Sequence, residues 1–350
     1  MSDLPPGPPP GKPPGKPPGK PPGKPPGKPP GKPRPDAAAR RFLLSFLALF
    51  LGGMGLVAGL HMALASQGLL APPPLAATNC IDDKFVLLRE APLEDRTLVA
   101  IGSSVTWRNL DMAVLERRFP GHRAYNAAPC YLHIDQTGFM TGFLLERMPE
   151  VETVLVVVAP RDFEACPVAE RAFFDTALAD AYLDGLVPRW LPYLTGFRPI
   201  YLAREALERR DPPLRPEDTV EDDFGSSILR RPHDWRPPPY FDEACFPALT
   251  GLEETVAARG ARLVLAVAPI MPEWAGRFDP EGRLVEGWVR RVAGALHRPD
   301  SLLIDGRALD WEDARFADPV HLLYPNHTAF TEFVAEAMAA GPRTALAGGE

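Results

Sequence analysis

Five short runs, separated by helix-like segments, constrain the fold of this chain more than any other feature of its sequence. The runs are Thr97–Ile101, Arg123–Asn126, Thr153–Ala159, Arg262–Val267 and Ser301–Asp305. Most are rich in Val, Leu and Ile without polar alternation, which indicates strands buried on both faces. The helix-like segments between them include Ile134–Arg147, Phe173–Leu186, Glu243–Arg259 and Leu284–Leu296. This alternation predicts an α/β domain, a three-layer α/β/α sandwich with a mostly parallel sheet of about five strands.

The first strand-like run ends in a glycine followed by Ser103 and Ser104, and a helix-like segment follows over Leu110–Phe119. The pattern predicts a serine at the carboxyl end of a strand, where open α/β sheets bind ligands. The alternative is that the two serines only cap the helix. Far downstream, Asp318 and His321 lie three residues apart in a Pro-containing loop before the last helix-like segment. A strand-end serine with a late Asp-x-x-His is the layout of a Ser-His-Asp hydrolase.

These two motifs resemble the first and last blocks of the SGNH/GDSL hydrolase family. Ser104 takes the nucleophile position and Ser103 that of the family's aspartate, while the Asp-x-x-His block is intact as Asp318 and His321. The resemblance covers roughly residues 79–341. It implies that Ser104 is the nucleophile, His321 its base and Asp318 the carboxylate that orients the base. It also implies ester chemistry on small acyl groups, and membrane-attached members often act on cell-surface polysaccharides.

The chain departs from this family where an oxyanion hole is expected. In the family, a glycine after the second strand and an asparagine after the third act together with the nucleophile's own N–H. Here Asn126 ends the second strand-like run with no glycine following, and Arg161 takes the asparagine position. We expect Arg161, Asn126 and Ser103 to contact the oxyanion or the substrate, because a guanidinium can donate to an oxyanion or bind an anionic group. The loss of one donor costs about 10²–10³ in rate, so turnover would be slow or specialised.

The chain has four cysteines, which allow three complete pairings: Cys80, Cys130, Cys166 and Cys245. Cys130 and Cys166 each follow a strand-like run by a few residues, at the sheet end that carries Ser104. We therefore expect a Cys130–Cys166 disulfide at the rim of the site, the alternative being free buried thiols. The sequence has no cluster with zinc-site spacing, so neither a metal nor a cofactor is expected. His133 and His327 are near the site in sequence and could line it.

Residues 1–41 form a tail of repeated Pro-Pro-Gly-Lys units. The period of four excludes a collagen triple helix, which needs glycine at every third residue. The tail has almost no apolar side chains to bury, so we expect disorder with polyproline II character. It is either a solvated cytoplasmic tail or an arm for a proline-recognising partner or an anionic surface, and the sequence does not identify such a partner.

The segment Phe42–Ser66 has no Asp, Glu, Lys or Arg in 25 residues. At 1.5 Å per residue it exceeds the roughly 30 Å hydrocarbon core of a bilayer, which predicts a transmembrane helix. Arg40 and Arg41 precede it, so the positive-inside rule places the N-terminus in the cytoplasm and the rest outside the plasma (inner) membrane, in the periplasm for an inner membrane. Cleavage as a signal peptide after Ala65 is the alternative, although the apolar run is longer than is usual there.

The remainder is divided by composition into a spacer and an outer domain. Residues 67–79 are rich in Pro and Ala, and we interpret them as a spacer that lifts the domain, residues 80–343, off the membrane. Residues 188–240 interrupt the α/β rhythm with Arg-Pro, Pro-Pro and Asp-Asp clusters. We interpret this interval as an insertion, either a lid or docking surface over the site or a poorly ordered surface excursion.

Charge is distributed unequally along the chain. Residues 1–41 carry a net charge of +7, which leaves −14 for residues 42–350 of a chain whose total is −7. An acidic outer domain is not expected to bind nucleic acid. It also argues against docking on anionic lipid or a strongly anionic polymer, so a neutral or mixed-charge substrate fits better.

Together these observations predict a membrane-anchored serine esterase or O-acyltransferase that acts on acyl esters, with acetyl the first choice, of a cell-surface polysaccharide. The alternative is a catalytically weak SGNH-fold binding or scaffold subunit of an envelope acylation or polymer-export assembly, which the missing oxyanion residues favour. The expected partners are the membrane, through residues 42–66, and envelope acyltransferase or polysaccharide machinery. A lipid or a small ester stays open as the substrate.

Overall fold

The computed structural model describes residues 15, 19, 37–76, 79–166, 172–196, 198–210 and 220–341. The predicted disorder of the 1–41 tail falls almost wholly outside these residues. The chain divides into two compact units, Met1–Leu60 and His61–Glu350.

Most of one long helix, α1 (Ala37–Ser66), lies in the first unit, and its last six residues belong to the second. Its 30 residues correspond to about 45 Å at 1.5 Å per residue. It is long and apolar enough to cross a membrane. It begins five residues before the predicted Phe42 because the preceding alanines and arginines are strong helix formers.

The second unit contains a five-stranded sheet and a separate two-stranded ribbon. In chain order the strands are β1 (Leu98–Ala100), β2 (Ala124–Asn126), β3 (Thr153–Val158), β4 (Val220–Glu221), β5 (Ser227–Ile228), β6 (Arg262–Val267) and β7 (Leu302–Asp305). The sheet has the order β2-β1-β3-β6-β7 with every pair parallel, while β4 and β5 form the antiparallel ribbon. The predicted α/β class and five-stranded parallel sheet are confirmed.

The strand order determines where a site can form. The chain passes from β1 outward to β2 and then crosses back to β3 on the other side of β1. The loops that leave β1 and β3 therefore diverge at their carboxyl ends, which opens a crevice at that edge of the sheet. Both strands are buried along their whole length. The loops at this edge of the sheet therefore leave from strands that are fixed by packing on both faces.

Helices cover the sheet. After α1 they are α2 (Asn79–Glu90), α3 (Ser104–Asn109), α4 (Met112–Arg118), α5 (Ile134–Leu145), α6 (Thr176–Leu183), α7 (Leu191–Thr195), α8 (Pro199–Arg210), α9 (Cys245–Ala258), α10 (Pro272–Phe278), α11 (Arg283–Ala295) and α12 (Asn326–Ala340). Among the contacts between helices, α9 packs against α5 and α11, α12 packs against α3 and α4, and α2 packs against α6. In α11 the buried Val285, Trp288, Val289 and Val292 follow the i, i+3, i+4, i+7 spacing of one helix face.

The structure describes residues 67–76 of the predicted spacer, and this part packs against the domain that follows it. Ala71, Leu75 and Ala76 are buried. The Leu75 and Ala76 amides donate to the Asp82 carboxylate at 2.9 and 2.6 Å, and the Tyr193 hydroxyl donates to the Ala71 carbonyl. The prolines of this segment suit an extended, packed strap because proline has no backbone N–H that would need an acceptor.

The irregular interval 188–240 contains ordered elements in the residues that the structure describes. They are helices α7 and α8 and the β4–β5 ribbon. The glycine of the ribbon turn, Gly225, has a φ of +80°, and its carbonyl accepts hydrogen bonds from the Lys84 ammonium at 2.7 Å and the Trp107 indole at 3.0 Å. Residues 229–239 continue from this ribbon to the edge of the sheet that carries Ser104.

Candidate active site

Ser104 lies in the turn that joins the carboxyl end of β1 to α3. The turn needs glycine at position 102 because a Cβ there would overlap the side chain of Thr106. The Thr106 hydroxyl donates to the Val157 carbonyl and accepts from the Val157 N–H, both at 2.9 Å. One buried hydroxyl thus fixes this turn to the neighbouring strand β3.

The helix after this turn begins at Ser104, six residues before the predicted Leu110. Ser103 is its N-cap, and its hydroxyl accepts from the Val105 N–H at 3.1 Å. The helix ends at Asn109, and α4 begins only at Met112. The predicted segment Leu110–Phe119 corresponds to α4, Met112–Arg118, and the sequence analysis missed only the short α3 that Ser103 caps before it.

The Asp318–His321 loop meets Ser104 at the same edge of the sheet. The Asp318 Oδ2 lies 2.7 Å from the His321 Nδ1, and the His321 Nε2 lies 2.9 Å from the Ser104 Oγ. The Asp318 Oδ1 also accepts from the Val320 and His321 amides, both at 3.0 Å. When Nδ1 donates to the carboxylate, Nε2 is free to accept the serine proton, which is the geometry of an activated hydroxyl.

The electrostatics of this loop favour an ionised carboxylate. Burial alone would raise the pKa of Asp318, but the His321 imidazole and the two backbone amides hold that pKa below its ordinary value. An ionised Asp318 stabilises an imidazolium on His321 when that ring takes up a proton.

A buried amide that the sequence analysis did not identify holds the histidine loop. The Asn109 Nδ2 donates to the Val320 carbonyl, and its Oδ1 accepts from the Leu322 N–H, both at 2.8 Å. These two bonds flank His321 on either side. In the sequence Asn109 resembles an ordinary helix-opening residue, and nothing local indicates a partner more than 200 residues away.

A cleft of about 370 Å³ opens beside the three residues. Its walls come from the loops after β1, β2 and β3, from the interval that follows β5, and from the Asp318–His321 loop. The lining side chains away from the triad are Arg108, Tyr131, Leu132, His133, Arg161, Leu229, His233 and Trp235. Tyr131 has a φ of +58°, the left-handed region that a tyrosine rarely occupies, so the loop after β2 holds it in a strained conformation at the cleft.

Two of the three residues expected to contact an oxyanion or substrate are engaged elsewhere. Asn126 is fully buried. Its amide donates to the Thr106 and Trp107 carbonyls and to the Ser226 hydroxyl, and its Oδ1 accepts from the Ala128 N–H. The expectation for Asn126 is therefore corrected, because this side chain closes the end of β2 and does not line the cleft.

Ser103 lines the cleft, but its hydroxyl is part of the framework. Besides capping α3 it bonds to the carboxyl group of Asp162, which also accepts from the Ala159 N–H at 2.8 Å. Burial raises the pKa of Asp162 to about 7, against the opposing effect of these two bonds. The group joins the turn after β1 to the end of β3.

Arg161 lies where the sequence analysis placed it, in a short 3₁₀ helix after β3 (Pro160–Phe163) at the wall of the cleft. Its guanidinium pairs with the Glu164 carboxylate at 3.0 Å and lies 5.0 Å from the Trp235 ring centre. The side chain of Arg161 is 40% exposed. It is therefore accessible from the cleft, but part of its charge is already compensated.

Backbone amides after β2 offer little to an oxyanion. The Ala127 N–H donates to the Ala100 carbonyl at 2.8 Å, and the Ala128 N–H is taken by Asn126. The Ser104 N–H, at the first position of α3, has no acceptor within its own helix because of helix geometry. The Ser104 amide and the Arg161 guanidinium are thus two candidate donors at the cleft.

The predicted Cys130–Cys166 disulfide is wrong. The structure has Cys80–Cys130, with Cα atoms 5.9 Å apart, and Cys166–Cys245, with Cα atoms 5.3 Å apart. Each strand-end loop is linked outward to a helix, α2 or α9, and not to the other loop. The prediction considered only the strand order and left out the helices that pack against these loops.

Of the two histidines that the sequence places near the site, one lines the cleft and the other does not. His133 lines the cleft, and its burial lowers the pKa of its imidazole, which favours a neutral ring. His327 lies in α12 with its ring 5.5 Å from that of Tyr324, and it is absent from the cleft lining.

The chain matches no protein-family model, and no curated protein is detectably similar to it. The SGNH/GDSL resemblance accordingly rests on the motifs and on the side-chain geometry described above.

Proposed function

We propose that this protein is a membrane-anchored serine esterase or O-acyltransferase of SGNH type that acts on acetyl esters of a cell-surface polysaccharide. The observation that carries the proposal is the continuous hydrogen-bonded series from Asp318 through His321 to Ser104, which opens into a cleft at the carboxyl edge of a parallel sheet. A surface serine that only caps a helix does not need a hydrogen-bonded histidine and a buried carboxylate behind it.

In the proposed reaction the Ser104 Oγ attacks the acyl carbon while its proton passes to the His321 Nε2. Asp318 stabilises the imidazolium that forms. Collapse of the tetrahedral intermediate breaks the bond to the alcohol, which leaves with the proton from His321, and an acetyl-serine remains. Water or a sugar hydroxyl then attacks this ester with His321 again as base, which gives hydrolysis or transfer.

The negative charge on the intermediate needs donors that are already in position. The Ser104 N–H supplies one, and Arg161 supplies a charged one once it turns from Glu164 toward the cleft. Because the guanidinium must exchange a partner, we expect turnover below that of a site with fixed neutral donors.

A polysaccharide substrate is supported by the shape of the cleft and the order of the chain. The cleft is open on one side, and the rings of Tyr131 and Trp235 offer amphipathic faces on which a sugar ring can pack. The apolar α1 precedes the domain, with Arg40 and Arg41 in its first turns, and this charge bias favours an outward position for the domain.

A second candidate is a catalytically weak binding or scaffold subunit of an envelope assembly. One observation favours it: the Asn126 side chain and the Ala127 and Ala128 amides are engaged within the protein. A cleft of this kind would still bind an acylated chain through its aromatic rings and Arg161.

A fluorophosphonate probe separates the two candidates. The full-length protein in detergent is treated with the probe, and the modified residue is identified by mass spectrometry, with His321→Ala and Ser103→Ala as matched variants. Modification of Ser104 that is lost in His321→Ala but kept in Ser103→Ala would support the enzyme. A folded wild type that is not modified would support the binding subunit.

A further inference from the structure

One basic segment of the second unit exposes apolar side chains that a protein surface in water would normally bury. We define the basic segment as residues 186–196 and 198–210. Its exposed large apolar side chains are Leu186, Trp190, Leu194, Ile200 and Leu207, with Ile200 85% and Leu207 60% exposed. Such clustering in a stretch of about 25 residues indicates an interaction surface.

Within this segment α8 exposes large apolar side chains beside Arg204, and its inward face combines Leu202 with charged residues. The outward face carries Ile200, Ala203 and Leu207, at the i, i+3, i+7 spacing of one helix face. The inward face includes Glu205, which is 5% exposed, and Arg209, which pairs with Glu205 at 3.5 Å and with Asp83 at 3.2 Å. A helix that places an ion pair inward and isoleucine and leucine outward is suited to an apolar exterior.

The basic segment is attached to the end of α1. The Tyr193 ring lies 5.2 Å from that of His61, and its hydroxyl bonds to the Ala71 carbonyl. Trp190 and Tyr193 line the same concavity as His61 and Ala65. Only four residues lie between the helix end at Ser66 and Ala71, and the five steps of chain reach at most about 17 Å.

The position of His61 along α1 gives the depth of this contact. His61 follows Phe42 by 19 residues, which is about 29 Å of helix and close to the thickness of the hydrocarbon core. If α1 crosses the bilayer from Phe42, His61 lies at the opposite headgroup layer. Tyr193 then lies at the depth where tyrosine and tryptophan concentrate in membrane proteins.

The charge of the segment suits the same surface. It has five arginines, Arg189, Arg198, Arg204, Arg209 and Arg210, against Glu205 and Glu208, a net charge of +3 within a part of the chain whose net charge is −14. The overall charge of the domain argues against anionic lipid, but the segment itself has a net positive charge, part of which is compensated by Glu90 and Asp83, the partners of Arg189 and Arg209. Arginines interleaved with tryptophan, leucine and isoleucine are typical of helices that lie in the membrane interface.

We propose that the basic segment lies in the headgroup layer of the membrane that α1 crosses, on anionic lipid, with Trp190, Ile200 and Leu207 at the acyl boundary. The domain is then held by two attachments, the α1 helix and this surface, which restrict its rotation about the short strap at residues 67–76. The proposal depends on α1 crossing the membrane and is independent of the chemistry at Ser104.

Photo-crosslinking of the full-length protein in nanodiscs of POPC and POPG tests this position. Benzoylphenylalanine replaces Ile200 or Leu207, and in matched controls it replaces Leu284 or Tyr240, which are exposed apolar residues outside the segment. We expect lipid adducts, identified by mass spectrometry, at positions 200 and 207 and none at 240 and 284. Equal lipid adducts at all four positions, no adduct at 200 and 207, or adducts to a second copy of the chain would each overturn the proposal.

Two further measurements keep the result interpretable. Each basic side chain near an anionic surface favours docking about fivefold, so nanodiscs of POPC alone should give fewer adducts at position 200. With the probe in place of Trp190, the double substitution Ile200→Glu and Leu207→Glu should abolish the lipid adduct while fluorophosphonate labelling of Ser104, if present in the parent, persists. A lipid adduct unchanged in that variant would contradict docking through α8.

Discussion

The two halves of the candidate site differ in how their polar groups are used. In the nucleophile half, Ser104, His321 and Asp318 bond to one another, and Asn109 fixes the loop from both sides. In the oxyanion half, the groups after β2 are already bonded within the protein, and Arg161 is shared with Glu164. The site is therefore organised for proton transfer more than for stabilising a developing charge.

The largest effect is expected from removing the nucleophile or the base. Ser104→Ala or His321→Ala should lower the turnover of a chromogenic acetyl ester by up to about 10⁶-fold, because the two groups act as a unit. Thermal unfolding followed by circular dichroism should change little, since Ser104 is at the cleft surface. Substantial activity in Ser104→Ala would remove the nucleophile half from the mechanism.

The next largest effect is expected from Asp318→Asn, with a loss of about 10⁴-fold in turnover because the amide favours the wrong imidazole tautomer. Since the pKa of Asp318 is lowered in the folded protein, its ionised form stabilises the fold above the unfolded pKa of about 3.9. That contribution is lost as the pH falls through the lower folded value.

Unfolding measured from pH 7 down to pH 3 tests the contribution of the ionised Asp318 carboxylate to stability. The stability difference between the wild type and Asp318→Asn should shrink as the solution becomes acidic. A difference that is constant over the whole range would show that the ionised carboxylate contributes nothing to the fold.

The nucleophile half could be predicted from the sequence because its signals are local. The apolar runs Leu98–Ile101 and Thr153–Val158 indicate buried strands, and parallel strands place their carboxyl ends at one edge of the sheet. A serine after one strand and an Asp-x-x-His before the last helix can then be expected to meet.

The oxyanion half and the supports could not be predicted, because they depend on tertiary contacts. Asn126 has the same sequence context whether it lines the cleft or turns inward, and Ser226 beyond the ribbon turn contributes to the inward position. The outward link from Cys130 to α2 likewise depends on a helix that precedes the sheet. The pattern of strands alone predicts neither the inward position of Asn126 nor the link from Cys130 to α2.

Substitution of Arg161 tests whether the oxyanion half stabilises the developing charge weakly or not at all. If it donates in the transition state, Arg161→Ala should lower kcat about 10²–10³-fold with little change in KM. Glu164→Gln is the matched variant, since it removes the competing carboxylate and should leave kcat unchanged or raised. A rise in KM alone in Arg161→Ala would identify the residue as a substrate contact and favour the binding-subunit candidate.

Asn109 should have a smaller effect on the nucleophile half. Asn109→Ala removes both bonds that flank His321, and a displaced base costs up to about 10²-fold in kcat. Thr328→Val is the control, because it removes a bond to Asp111 between α4 and α12 without touching the histidine loop. We expect slower fluorophosphonate labelling in Asn109→Ala and unchanged labelling in Thr328→Val, and equal rates in both would exclude a positioning role.

The smallest effect concerns the group that joins the two halves, Asp162, which links Ser103 to Ala159. Its pKa is raised to about 7, above an unfolded value of about 3.9. Its contribution to stability is therefore complete below about pH 4 and is lost as the pH rises through about 7. Ionisation of this buried carboxyl above pH 7 costs on the order of 2–4 kcal/mol.

Asp162→Asn removes that cost, because an amide can keep both bonds without ionising. The unfolding temperature of the variant relative to the wild type should therefore rise between pH 4 and pH 7 and stay constant above that range. A relative stability that is independent of pH would contradict a raised pKa. If the variant also labels at Ser104 as fast as the wild type at pH 8, the link between the halves needs only the hydrogen bonds of Asp162, and the weakness of the oxyanion half does not originate from its charge.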